Sequence, residues 1–210
     1  MRHTSGDLLE FPQVTQLIGR FVETPYGRAA LEALAPVSDR AWLEDQRRIL
    51  SEALEYLRLW EHPLSNVRRP ALKLRLAGIP DCRQILAKLR IEGAFLDGKQ
   101  LLEIATFAQR VSETKRALSL PPELFPFLSR CGSRLMDLAP LSETIQSAIL
   151  PDGSVSDGAS SRLAEIRREI ERTRRRIQES LESFLARHRS DGVLQEQFVT
   201  IRNDRFVIPV

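Results

Sequence analysis

From Ser161 to about Arg189 the chain contains neither glycine nor proline, and its apolar residues keep the alternating three-and-four spacing of a heptad seam: Leu163, Ile166, Ile170, Thr173, Ile177 and Phe184. That pattern predicts one long helix of about 40 Å, at about 1.5 Å of rise per residue. Leu181 and Leu185 broaden the seam near its end. Only one narrow stripe is apolar, so the helix needs a single partner rather than a core on every side, as in one half of an antiparallel coiled coil.

The other faces of this helix are basic. Residues 162–189 hold nine arginines, five glutamates and no lysine. Some of these charges can pair within the helix, Glu171 with Arg175 for example. Two readings stay open: a solvated helix laced with ion pairs, or a surface whose four surplus positive charges lie near phosphate. The whole chain carries a net charge of only +3, which permits nucleic acid as a partner without demanding it.

Beyond Asp191-Gly192, which is expected to end the helix, the segment FVTIRNDRFVIPV (198–210) alternates in the manner of two strands. Asn203-Asp204 occupies the place of a two-residue turn. This register pairs Ile201 with Phe206 and Val199 with Ile208 on one face, and sets Arg202 opposite Arg205 on the other. Like charges facing across a hairpin repel. Either both side chains splay into water or an anion lies over them, a phosphate backbone being the obvious candidate.

Upstream, eleven of the twelve prolines divide segments of helical periodicity. Helices are expected over 8–23 (capped by Ser5 or Asp7), 25–34, 39–61 (capped by Ser38 and Asp39), 70–76, 81–91, 98–118 (capped by Asp97), from Pro121-Pro122 to about 131, and 140–149. In the third, Leu43, Leu50, Leu54 and Leu57 share a face, with Trp42 and Trp60 as bulky core residues at its ends. The stretch PDGSVSDGASS, rich in Ser, Gly and Asp, reads as a flexible hinge before the long helix. The expected fold is mainly α: a multi-helix body, a long projecting helix of coiled-coil type and a short terminal β-hairpin.

Enzyme chemistry finds no foothold. His3, His62 and His188 lie far apart, Cys82 and Cys131 match no metal spacing, and no nucleophile elbow or GxxxxGK[ST] phosphate loop occurs. No catalytic residue and no metal ligand is therefore expected here. The opening MRHTSGDLLEF lacks a continuous apolar run, and no stretch approaches a membrane span, so a soluble, cytoplasmic protein with reduced thiols and no membrane partner is expected.

The string VTIRNDRFVIPV resembles the motif that follows the long arm helix in the endonuclease-type, recombination-suppressing MutS paralogues of bacteria. The opening LEFPQVTQLIGRFVETPYGRAALEALAP is similar to the start of the same proteins, and the order of helical body, PDGSVSDGAS hinge and arm matches as well. The resemblance implies a core and lever region over 1–150, a hinge at 151–160, a clamp arm helix at 161–190 and the start of the clamp tip at 196–210. It implies a DNA clamp acting on branched or recombination DNA, a homodimer when full length, and ATP with Mg for an ATPase domain. A nuclease domain in many members and a role on stalled ribosomes in some bacteria are implied too. The returning arm helix, the ATPase and the nuclease are expected beyond Val210. Arg202, Asn203 and Arg205, with Arg187 and Arg189 at the helix end, are the residues expected to contact DNA phosphates, by structure rather than base sequence. The alternative is a helical coiled-coil interaction module with no nucleic-acid role.

Overall fold

Prolines and their capping neighbours decide where this chain turns. In the computed structural model, which describes residues 10–61, 72–187, 198–202 and 205–207, α1 covers Phe11–Gly19, α2 Pro25–Glu32 and α3 Arg40–Glu61. Thr24 is extended, as a residue before proline must be, and its Oγ1 accepts from the Gly27 N–H at 2.9 Å to cap α2. Asp39 Oδ1 accepts from the backbone N–H groups of Ala41 and Trp42 at 2.9 and 3.1 Å and opens α3. The proposed caps Ser5 and Asp7 lie outside the described residues.

Helices α4 (Arg83–Lys88), α5 (Gly98–Ala117), α6 (Pro126–Ser133) and α7 (Ala139–Ala148) follow. Asp97 and Gln100 form a reciprocal capping box at the start of α5. The mainly α character expected from the periodicity is what the chain shows.

Two contact units divide between Ser154 and Val155, inside the 151–160 stretch. In the first unit, α5 and α7 pack closely because α5 offers alanines: Ala105 and Ala108 are fully buried. Two buried serines tie this contact. Ser142 donates to the Ala105 carbonyl at 2.9 Å, and Ser112 Oγ accepts from the Leu138 N–H at 2.7 Å. A second cluster gathers Tyr56, Leu59, Leu118, Leu120 and Phe125, with Trp60, Leu74 and Leu128 against it. Helix α6 is capped from a distance: the Glu52 carboxylate on α3 accepts from the N–H groups of Phe127 and Leu128, each at 3.0 Å.

Several expectations change here. Residues 72–76 form no helix. The Leu74 N–H is taken by the Tyr56 hydroxyl at 2.7 Å, which removes a donor that a helix would use internally. The helix after Pro121-Pro122 starts only at Pro126, because Leu124 and Phe125 both donate to the Pro121 carbonyl in a turn and Phe125 precedes a proline. The face of α3 that holds Leu43, Leu50, Leu54 and Leu57 is exposed, and Trp42 is 42% exposed. It is the opposite face, with Tyr56 and Leu59, that is buried. Trp60 does sit partly buried against the core cluster.

Near the start of α4, the Cys82 N–H donates to the Tyr26 hydroxyl at 3.1 Å, and the Arg83 guanidinium lies 5.4 Å from the Tyr26 ring centroid. The Cys82 thiol is 1% exposed, and burial, helped by the charges of Glu103 and Asp81, pushes its pKa up. Cys131 is exposed. One fast thiol and one that reacts only on unfolding is the expected result of titrating the native chain with a disulfide reagent. Two fast thiols would mean that the Tyr26–Cys82 junction is open.

In the second unit, the 3₁₀ turn Asp157–Ala159 leads into α8, Ser161–Arg187. Ser160 Oγ accepts from the Leu163 N–H at 3.1 Å to cap the helix. Arg167 reaches back to the Val155 carbonyl at 2.9 Å and to the Asp157 carboxylate, so the turn is pinned to the first two turns of the helix. Strands β1 (Thr200–Arg202) and β2 (Arg205–Val207) close an antiparallel ladder.

Candidate nucleic-acid interface

The ladder pairs Thr200 with Val207, Ile201 with Phe206, and Arg202 with Arg205. This is the register expected from the alternation. Side chains alternate between the two faces of a ladder, so Arg202 and Arg205 share the face opposite Phe206. Phe206 is half-buried and, with Leu185 and Phe198, lines a cleft of about 670 Å³ between the end of α8 and the strands. Both arginines are exposed, and neither makes an ion pair among the described residues. Two arginines therefore stand opposite each other on one exposed face, within reach of a single bridging anion.

Arg187 lies in the last turn of α8, and its Nε donates to the Ser183 carbonyl at 3.3 Å. This lays the side chain along the helix. The structure thus describes three of the five expected contact residues. Asn203 and Arg189 lie outside the described residues, as do the Asn203-Asp204 turn and the pairing of Val199 with Ile208.

Along α8 the ion pairs are short-range and exposed: Arg162 with Glu165 at 3.3 Å and Arg174 with Glu171 at 3.5 Å. Glu171 pairs with Arg174 and not with Arg175 as expected, since the i,i+3 neighbour is the closer one here. Exposed pairs of this kind contribute at most about 1 kcal/mol each. The seam side chains Ile166, Ile170 and Ile177 remain around 40% exposed. Arg172, Arg175 and Arg176 were not among the candidates drawn from the sequence, although the run Arg174-Arg175-Arg176 and its 3.6-residue phase were there to read. Each is exposed and makes no ion pair or hydrogen bond among the described residues.

Among the described residues, no group of three or more His, Cys, Asp or Glu side chains could hold a metal ion. His3, His62 and His188 lie outside them. No helix among the described residues is long and apolar enough to cross a membrane.

No family model matches the chain. Individual relatives do. It is 33% identical over 207 residues to Endonuclease MutS2 of Thermus thermophilus, covering 97% of the chain and 24% of that protein. Endonuclease MutS2 of Geobacillus sp. is 32% identical over 206 residues, again 97% of the chain and 25% of the relative. Endonuclease MutS2 of Symbiobacterium thermophilum is 34% identical over 202 residues, 96% of the chain and 24% of the relative. The chain spans about a quarter of the length of the curated relatives it matches. Similarity at this level along nearly every residue, in relatives from different bacteria that all share one name, makes this chain a segment of the MutS2 family.

Proposed function

We propose that this chain is the core, lever and first clamp arm of a MutS-type DNA clamp, and that it holds branched or recombination DNA by its phosphate backbone. The observation that carries this reading is the cross-strand pair Arg202 and Arg205, two like charges opposed in register on a solvent face. Opposed like charges weaken a hairpin, and a phosphate lying between them reverses the sign of that term. Arg187 on the last turn of α8 extends the positive surface, with Arg189 and Asn203 as further contacts. Contacts of this kind fix position on the nucleic acid without reading bases.

The residues present do not fit an ATP site: no GxxxxGK[ST] loop occurs in the chain, so no step of ATP hydrolysis is assigned to them. ATP with Mg, homodimerisation and the endonuclease activity in the relatives' name belong, on this proposal, to the rest of a longer cytoplasmic protein. Action on stalled ribosomes would use the same backbone chemistry. The other reading is a helical interaction module without nucleic acid, favoured by the exposed seam of Ile166, Ile170 and Ile177.

The test is fluorescence anisotropy of the chain with a labelled four-way junction and a matched duplex across a salt series. Binding is expected to weaken steeply with salt. The double variant Arg202→Glu/Arg205→Glu is expected to flatten the slope of log K against log salt by about 2, at about 0.9 per phosphate contact. Affinity unchanged in the double variant overturns the tip assignment. A stable oligomer in sedimentation that ignores both nucleic acids at low salt favours the interaction module.

A further inference from the structure

The geometry points to a second nucleic-acid backbone contact along the middle of α8, made by Arg172, Arg175 and Arg176 on the face opposite the apolar seam. It rests on the reading of the chain as a nucleic-acid binder, and it places the larger electrostatic contact on the helix rather than on the hairpin.

The arginines of α8 fall into two groups. Arg162 pairs with Glu165, Arg167 holds Asp157 and the Val155 carbonyl, and Arg174 pairs with Glu171. Arg168 and Arg187 donate to the Ala164 and Ser183 carbonyls on their own helix. These side chains have structural work. Arg172, Arg175 and Arg176 have none among the described residues: no ion pair closes to Glu169 or Glu179, and Glu171, the third carboxylate within one turn, is taken by Arg174.

Their phase on the helix gives the group a direction. At 3.6 residues per turn the three fall within an arc of about 100°, and the seam positions Ile166, Ile170 and Ile177 centre roughly on the opposite side. A helix seated on the seam therefore leaves the row open. Arg172 stands at i,i+3 and i,i+4 from the other two, an arrangement that destabilises an isolated helix by a few tenths of a kcal/mol per like-charge pair. An anionic ligand over the row removes that repulsion.

Charge density selects the ligand class. The three guanidinium groups lie within about 6 Å of helix axis, at about 1.5 Å per residue. Duplex DNA presents one negative charge per about 1.7 Å of its axis, three or four over the same length. The row thus matches the charge spacing of a phosphodiester backbone. The all-arginine make-up agrees, since the planar fork of guanidinium takes phosphate oxygens in pairs where a lysine offers a point charge.

The experiment is anisotropy of the chain with a fluorescein-labelled duplex between about 50 and about 200 mM salt. It compares Arg172→Gln/Arg175→Gln/Arg176→Gln with Arg202→Gln/Arg205→Gln. Glutamine keeps helix propensity, and far-UV circular dichroism checks that α8 is intact. The triple variant is expected to bind at least about tenfold more weakly at the lowest salt and to flatten the salt slope by about 2 to 3. The triple Arg→Lys variant, with its charge kept, is expected to retain most of the slope. A triple glutamine variant that binds as the parent does, while the hairpin variant loses affinity, overturns this proposal and leaves the hairpin reading standing. Unchanged binding in both variants, or no binding of the parent chain, removes both. Displacement of the duplex by poly-glutamate at equal charge concentration assigns the row to an acidic protein and overturns it as well.

Discussion

Gly98→Ala is expected to lower the stability of the chain by about 3 kcal/mol or more, seen as a large drop in the urea midpoint. Helix propensity alone predicts the opposite sign, since alanine exceeds glycine by about 1 kcal/mol in a helix interior. Packing decides. Gly98 is the first residue of α5, and a Cβ there would lie 1.9 Å from the Gly153 carbonyl oxygen and 2.7 Å from its carbon. Both atoms are backbone, so no rotamer change relieves the clash. The turn that carries them is itself tied: Gly153 donates to the Leu150 carbonyl, Leu150 to the Ser154 carbonyl, each at 2.8 Å, and Gly153 holds a φ of +87° that disfavours any other residue. Gly93→Ala is the control. Its φ is +76°, but nothing lies within 4 Å of the added carbon, so only the backbone term of about 1 kcal/mol applies. Equal midpoint shifts for the two variants would show that the 150–154 turn does not pack on the start of α5.

The elements that were legible in the sequence are those whose determinants are local. Helix α8 follows from a long stretch without glycine or proline, and the Ile201–Phe206 and Arg202–Arg205 pairs follow from strict alternation. Asp39 and Asp97 cap where short polar residues precede periodic segments. What local pattern could not supply is the identity of the covering partner. On α3 the stripe Leu43, Leu50, Leu54 and Leu57 has the stronger periodicity, yet Tyr56 and Leu59 on the other face meet the body. Periodicity finds apolar faces without saying which one is buried. The same limit applies to the arginines. A surplus of positive charge can be counted in the sequence, but which guanidinium is absorbed by Glu165, Glu171 or Asp157 depends on side-chain geometry. Arg172, Arg175 and Arg176 emerge as a group only once those pairs are known.

Tyr56 is where the buried face of α3 is most sensitive, and two substitutions there separate its roles. The side chain is 2% exposed among Leu59, Leu118, Leu120 and Phe125, and its hydroxyl accepts from the Leu74 N–H at 2.7 Å. Tyr56→Ala removes the ring and leaves a cavity, with an expected loss of about 3 to 5 kcal/mol by urea unfolding. Tyr56→Phe keeps the ring and removes only the acceptor. The Leu74 N–H then loses its hydrogen-bond partner in a half-buried position, and the expected loss is about 1 to 2 kcal/mol. Amide hydrogen exchange gives the sharper readout. In Tyr56→Phe the Leu74 amide should exchange much faster, while amides inside α5 slow or speed only with global stability. That outcome would establish that the non-helical course of residues 72–76, where the sequence predicts a helix, is held by this one hydroxyl. A Leu74 amide that exchanges at its parent rate in Tyr56→Phe would mean that the segment is kept from a helix for another reason, and the tyrosine would then act through its packing alone.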